Sequence, residues 1–151
     1  MKKIVFALFF VSNMTLASGL STMAEWVKAV PASSKMSAAY FHIHNETDKS
    51  VDLVKASSSY SKVVEIHTHV NDKGVMKMRK VSKLPVPSKG MVMLEPKGNH
   101  LMLIGLKKKI GKEDKVDITL EFSNGEKLKV MAPVKKLGGH GSHDHDHSHH
   151  H

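Results

Sequence analysis

The run from Val116 to Phe122 most constrains what this chain can build. Val116, Ile118, Leu120 and Phe122 alternate with Asp117, Thr119 and Glu121. A period of two sends the apolar side chains to one side of an extended strand and the polar ones to the other. Asn124-Gly125 follows, the dipeptide favoured in a tight type I′ turn. Leu128, Val130 and Ala132 then resume the alternation on a return strand. In the segment 64–70, Ile66, Thr68 and Val70 share one face and His67 and His69 the other. The stretch 91–94 reads as another short strand. Pro85-Val86-Pro87 and Ser88-Lys89-Gly90 punctuate loops. No stretch holds a helical period over three turns. Several short strands separated by turns predict an all-β fold, a β-sandwich with Greek-key connections.

A chain of 151 residues suits one folded domain. It has no cysteine, so no disulfide supports the fold and no thiolate can bind a metal. Residues 1–19 read as a secretory signal: Lys2 and Lys3, an apolar core from Ile4 to Val11 that resumes at Met14, and Ala17-Ser18-Gly19 as the cleavage site. A second cleavage candidate lies at Thr22-Met23-Ala24, which puts the domain at 25–136 and a tail at 137–151. The apolar run falls short of the roughly 20 residues of a membrane span. No other segment is suited to crossing a bilayer. The expected location is the periplasm, with no transmembrane span after processing.

Four residues point to chemistry: His67, Met78, His100 and Met102. Thioether sulfur is soft and polarisable. It suits a soft monovalent ion and serves Zn(II), Ca(II) or Mg(II) poorly. Imidazole adds affinity without adding charge. Two of each form a ligand set for Cu(I). Thioethers also stay available in an oxidising compartment, where thiols form disulfides. His100 and Met102, at i and i+2, project from one strand face roughly 6–7 Å apart, with Leu101 and Leu103 directed into the core behind them. Met78 arrives on a hairpin arm after Asp72-Lys73-Gly74. Met76 could serve as a spare ligand, and His69 could substitute for His67. Met91 and Met93 read as core or rim. His42 and His44 read as exposed positions on an outer strand face, with an adventitious Cu(II) or Zn(II) site as the alternative.

The spacing His67-x10-Met78-x21-His100-x-Met102 resembles the marker of the periplasmic copper chaperones that supply the dinuclear copper centre of cytochrome c oxidase. The flanks are similar too. Ser37-Ala38-Ala39-Tyr40-Phe41 looks like the family's first core strand. Gly74-Val75-Met76-Lys77-Met78-Arg79 and the segment 98–106 look like its ligand-bearing segments. The resemblance covers about Trp26 to Val134. It implies a cupredoxin-like form of the sandwich, a Cu(I) cargo, and an acceptor such as cytochrome c oxidase subunit II.

Seven of the twelve histidines lie after Leu137-Gly138-Gly139: His140, His143, His145, His147, His149, His150 and His151. With almost no apolar residue, this segment cannot bury a core and is expected to be disordered without metal. Imidazole and carboxylate suit a harder ion such as Cu(II). Interspersed Asp, Ser and Gly distinguish it from an unbroken purification tag.

The formal charge of +9 is spread along the chain with few aromatics among the lysines, which speaks against a nucleic-acid surface. Lys107-Lys108-Lys109 is the one concentrated run and could face an acidic partner. A blue-copper electron carrier needs a cysteine thiolate. There is no nucleophile-elbow motif, no HExxH and no paired catalytic carboxylates. The reading is therefore a non-enzymatic, monomeric copper carrier. A periplasmic copper sink that hands nothing on is the alternative.

Overall fold

The computed structural model describes residues 19–136. The expected signal sequence up to residue 18 and the histidine tail lie outside the described residues. Ten strands and no helix make up the described part: β1 (Leu20–Lys28), β2 (Met36–Asn45), β3 (Val51–Ser57), β4 (Ser61–Asp72), β5 (Val75–Lys80), β6 (Leu84–Val86), β7 (Gly90–Leu94), β8 (His100–Leu106), β9 (Lys115–Phe122) and β10 (Lys127–Lys135).

Their order is β5-β4-β8-β2-β1-β10-β9-β3-β6, and a bridge between Ala56 of β3 and Val64 of β4 closes the path into a flattened barrel. Neighbours far apart in sequence, such as β2 and β8, are what Greek-key connections produce. β10 runs parallel to β1, and the other pairs are antiparallel. The segment expected as the first core strand is β2. It is long enough to pair with β8 over Met36–Ala39 and with β7 over Phe41–Asn45.

The alternation on β9 has the predicted outcome. Val116, Ile118 and Leu120 are fully buried and Phe122 nearly so. Leu101 and Leu103 of β8 and Phe41 and Ile43 of β2 fill the same core. β1 begins within the stretch between the two cleavage candidates, and its first residue, Leu20, is buried.

The turn after β9 differs from expectation. Gly125 has φ 86°, but Asn124 is not left-handed, so the type I′ conformation is absent. Instead Gly125 N–H donates to the Phe122 carbonyl and Phe122 N–H to the Glu126 carbonyl, both at 2.9 Å. The loop is a three-residue connection closed by a left-handed glycine. The Asn124 side chain explains the choice: its Oδ1 accepts from Glu126 N–H at 3.1 Å. The two-residue left-handed turn occurs between β4 and β5, where Lys73 and Gly74 have φ 53° and 87°.

Candidate metal centre

Three strands build the site. β4 lies between β8 and β5. Its register sets His67 opposite His100 of β8 and Glu65 opposite Met102. On its other edge His69 stands opposite Met78 of β5. Directly paired residues share a face, so His67, His69, Met78, His100 and Met102 all project to one side. Leu101 and Leu103, between and beside the β8 pair, are buried behind it.

A groove of ≈ 450 Å³ opens there, walled by His69, Met78, His100 and Met102, with Tyr40 and the loop from Ala29 to Ser34 opposite. His100 is 3 % exposed and Met78 48 %. Their ligand atoms nearly touch: His100 Nε2 lies 3.1 Å from Met78 Sδ. His100 Nδ1 is 3.1 Å from the Gly98 carbonyl. A carbonyl only accepts, so Nδ1 carries the proton and Nε2 presents its lone pair to the sulfur. Burial, the largest effect, and the neighbouring His69 and His67 push the His100 pKa below the ordinary histidine value; the Gly98 hydrogen bond opposes them. The ring is thus neutral at neutral pH, the form that binds metal.

The two other histidines differ. The His69 ring centre is 5.2 Å from that of His100, and its Nδ1 reaches the Gly98 carbonyl at 3.2 Å. The His67 ring is 5.9 Å from His100 and is not part of the groove wall. His67 Nε2 meets Glu65 Oε2 at 2.9 Å, and its Nδ1 is buried without a hydrogen-bond partner. Glu65 is in turn held by Lys80 at 2.7 Å. Hydrogen bonds from His67 and Lys80 keep its carboxyl pKa below the ordinary range.

Sequence reasoning missed the aromatic pair beside the groove. Trp26 stacks on Tyr40 with centroids 4.4 Å apart, and Tyr40 stands 6.2 Å from His100. A bulge in β1, where Ala24 takes φ 56°, shifts the register between Met23 and Trp26 and turns Trp26 toward this face. Glu65 was within reach of the alternation, since it shares a strand face with His67.

Met76 lies on the same edge strand, exposed and opposite Asn71. Met91 and Met93 are about half exposed, so they are rim and not core. His42 and His44 are half-buried, not freely exposed. In the lysine run, Lys108 stands 3.6 Å over the Tyr60 ring. The tail histidines lie outside the described residues. Among the described residues no group of three or more His, Asp or Glu side chains is placed to hold an ion.

Residues 20–134 match the profile of the LpqE-like family, described as "Putative lipoprotein LpqE-like". The chain belongs to the LpqE-like family. A relative from Leifsonia xyli subsp. xyli, named "Putative lipoprotein Lxx21020", is 34% identical over 124 residues, covering 82% of this chain and 74% of its own. Among solved structures, the Cu(I) form of DR1885 from Deinococcus radiodurans is 31% identical, with TM-score 0.62 over 83% of this chain and 82% of that one. The copper-bound PCuAC domain of PmoF2 has TM-score 0.68 at 18% identity, over 80% of this chain and 95% of that one, and shows the shared fold. No helix among the described residues is long and apolar enough to cross a membrane.

Proposed function

We propose that this domain is an exported, periplasmic Cu(I) carrier that holds its cargo with His67, Met78, His100 and Met102. It passes the ion to an acceptor, for which the dinuclear copper centre of cytochrome c oxidase subunit II is the leading candidate. The observation that carries the reading is the His100–Met78 pair, a neutral imidazole lone pair 3.1 Å from a thioether sulfur. Two adjacent ligands of a tetrahedral ion, at ordinary metal–nitrogen and metal–sulfur lengths, stand about 3.5 Å apart. The pair therefore needs to open by only a few tenths of an ångström. His67 suits a supporting arrangement in which Nε2–H donates to Glu65 and the unpartnered Nδ1 is the donor atom. The Cu(I) form of the similar DR1885 structure supports the same cargo.

Transfer is favoured over storage by the exposure of Met78. A ligand that is 48 % exposed lets an acceptor thiolate approach the ion from solvent and replace the thioether. The rim suits an acidic acceptor: Ser34 borders both this groove and a smaller one walled by Lys35, Lys107, Lys108 and Lys109. The tail, with His140, His143, His145, His147, His149, His150 and His151, is assigned to Cu(II).

Mixing Cu(I)-loaded protein with a soluble oxidase copper domain tests the reading. Appearance of the acceptor's visible absorption, at a rate that falls with added salt, is expected. Retention of copper here would make the domain a sink. Deleting the tail after Gly139 should remove Cu(II) capacity and leave Cu(I) binding unchanged.

A further inference from the structure

We infer that the outer face of β1, β2 and β7 holds a second Cu(I) site, built by His42, His44, Met91 and Met93 with Met23 at its edge. The register carries the inference. His42 on β2 stands opposite Met93 of β7 on one side and Met23 of β1 on the other. One step along, His44 stands opposite Met91. Each directly paired couple shares a face, with Cβ atoms about 4.5–5.5 Å apart, and the two rows are roughly 6–7 Å apart along β2. The three rotatable bonds of methionine span such gaps. Two imidazoles and at least two thioethers thus converge on one ion, the same donor chemistry as the groove.

The residue choice on β7 has no packing explanation. Its inward positions are Val92, half-buried against the core, and Leu94, which is 1 % exposed. Met91 and Met93 point the other way and are 49 % and 44 % exposed; Met23 is 49 % exposed. A solvent-facing strand position gains nothing from a thioether as a packing group. The second observation is His44 Nε2, which is shut off from solvent and has no hydrogen-bond partner. A buried ring nitrogen without a partner loses its interaction with water, and a bound ion restores one. A shallow groove beside it is walled by His44, Asn45, Glu46, Lys89, Gly90 and Met91. Among the described residues no ion pair or side-chain hydrogen bond ties a carboxylate to either histidine, and the thioethers give the donor set its preference for a monovalent soft ion. Tyr40 occupies the next position on this face of β2 and stands against His100, so the two sites lie along one strand face.

The test uses the full chain with 13C-methyl methionine and anaerobic Cu(I), or Ag(I) as a redox-inert soft ion. The tail contains no methionine, and apart from Met1 and Met14 every methionine lies in the described strands. Met78 and Met102 are expected to shift with one ion, and Met91 and Met93 together with a further one. Met131, exposed on β10, serves as the control and stays put. In His42→Ala/His44→Ala the shifts of Met91 and Met93 should vanish while those of Met78 and Met102 persist. The inference is overturned if Met91 and Met93 do not move with excess ion, or move no differently in that variant. Failure of Met78 and Met102 to shift would instead count against the groove site.

Discussion

The two halves of the groove are held in opposite ways. The β8 half sits in the barrel wall between β2 and β4: His100 is buried and Leu101 and Leu103 lock the strand behind it. The β5 half is an edge strand that pairs only with β4, and all six of its residues are exposed. A carrier gains from this asymmetry. The wall half fixes where the ion sits. The edge half supplies a ligand that a partner can displace without disturbing the core.

The largest test removes the thioether from both halves at once. Met78→Ala with Met102→Ala should lower Cu(I) affinity by about 10⁴-fold or more, since even supporting groups around a metal cost roughly 10–100-fold each. Competition with a chromophoric Cu(I) chelator measures this, and an unchanged affinity would remove both residues from the site. The melting midpoint of the apo protein should barely move, because neither residue belongs to the core cluster.

Stability should split along the same line. Leu101→Ala, behind the wall half, should cost about 2–5 kcal/mol. Val75→Ala, on the 57 % exposed edge, should stay within about 0.5 kcal/mol. Urea unfolding of the apo form reads both. Equal costs would mean that β5 is as firmly part of the fold as β8.

A smaller effect separates the two β4 histidines. If His67 binds through Nδ1 with Glu65 behind it, Glu65→Gln should weaken Cu(I) binding by roughly tenfold, and His67→Ala should weaken it more than His69→Ala. The reverse ranking would give the ligand role to His69, the histidine that walls the groove.

The smallest effect is a pH slope. His100 has a folded pKa below its unfolded value of about 6.5. Below pH 6.5 the unfolded chain takes up a proton that the folded chain resists, so apo stability should fall as pH drops from 6.5 through the folded pKa, then level off. Glu65, also depressed, should add a second loss further down, in the carboxylate range. His100→Gln should flatten the first slope in urea midpoints measured between pH 7.5 and 5; an unaltered slope would assign it to other histidines.

Much of this was legible in the chain before folding. The alternation of β9 and β8 named the buried residues correctly because a period of two is a local property of an extended backbone. On β4 only Ile66 of its expected face is buried, and Thr68 and Val70 are half-buried like the histidines opposite them. The ligand types and the soft-ion preference follow from side-chain chemistry alone. β1 was harder to see: its bulge at Ala24 breaks the alternation that marks a strand. The turn after β9 was misread because Asn-Gly serves two turn types, and the Asn124 contact with Glu126 decided between them.

Sequence by itself determined that this chain is built of strands, which faces are apolar, and that its distinctive donors are neutral and soft. Tertiary structure alone decided which donors meet. His100 touches Met78 because β4 joins β8 to β5, and His42 and His44 face three thioethers because β2 lies between β1 and β7. Strand periodicity says which face a residue takes, but not which strand becomes its neighbour. That neighbour is set by register and closure across the whole barrel, where a slip of one residue would turn every buried side chain outward.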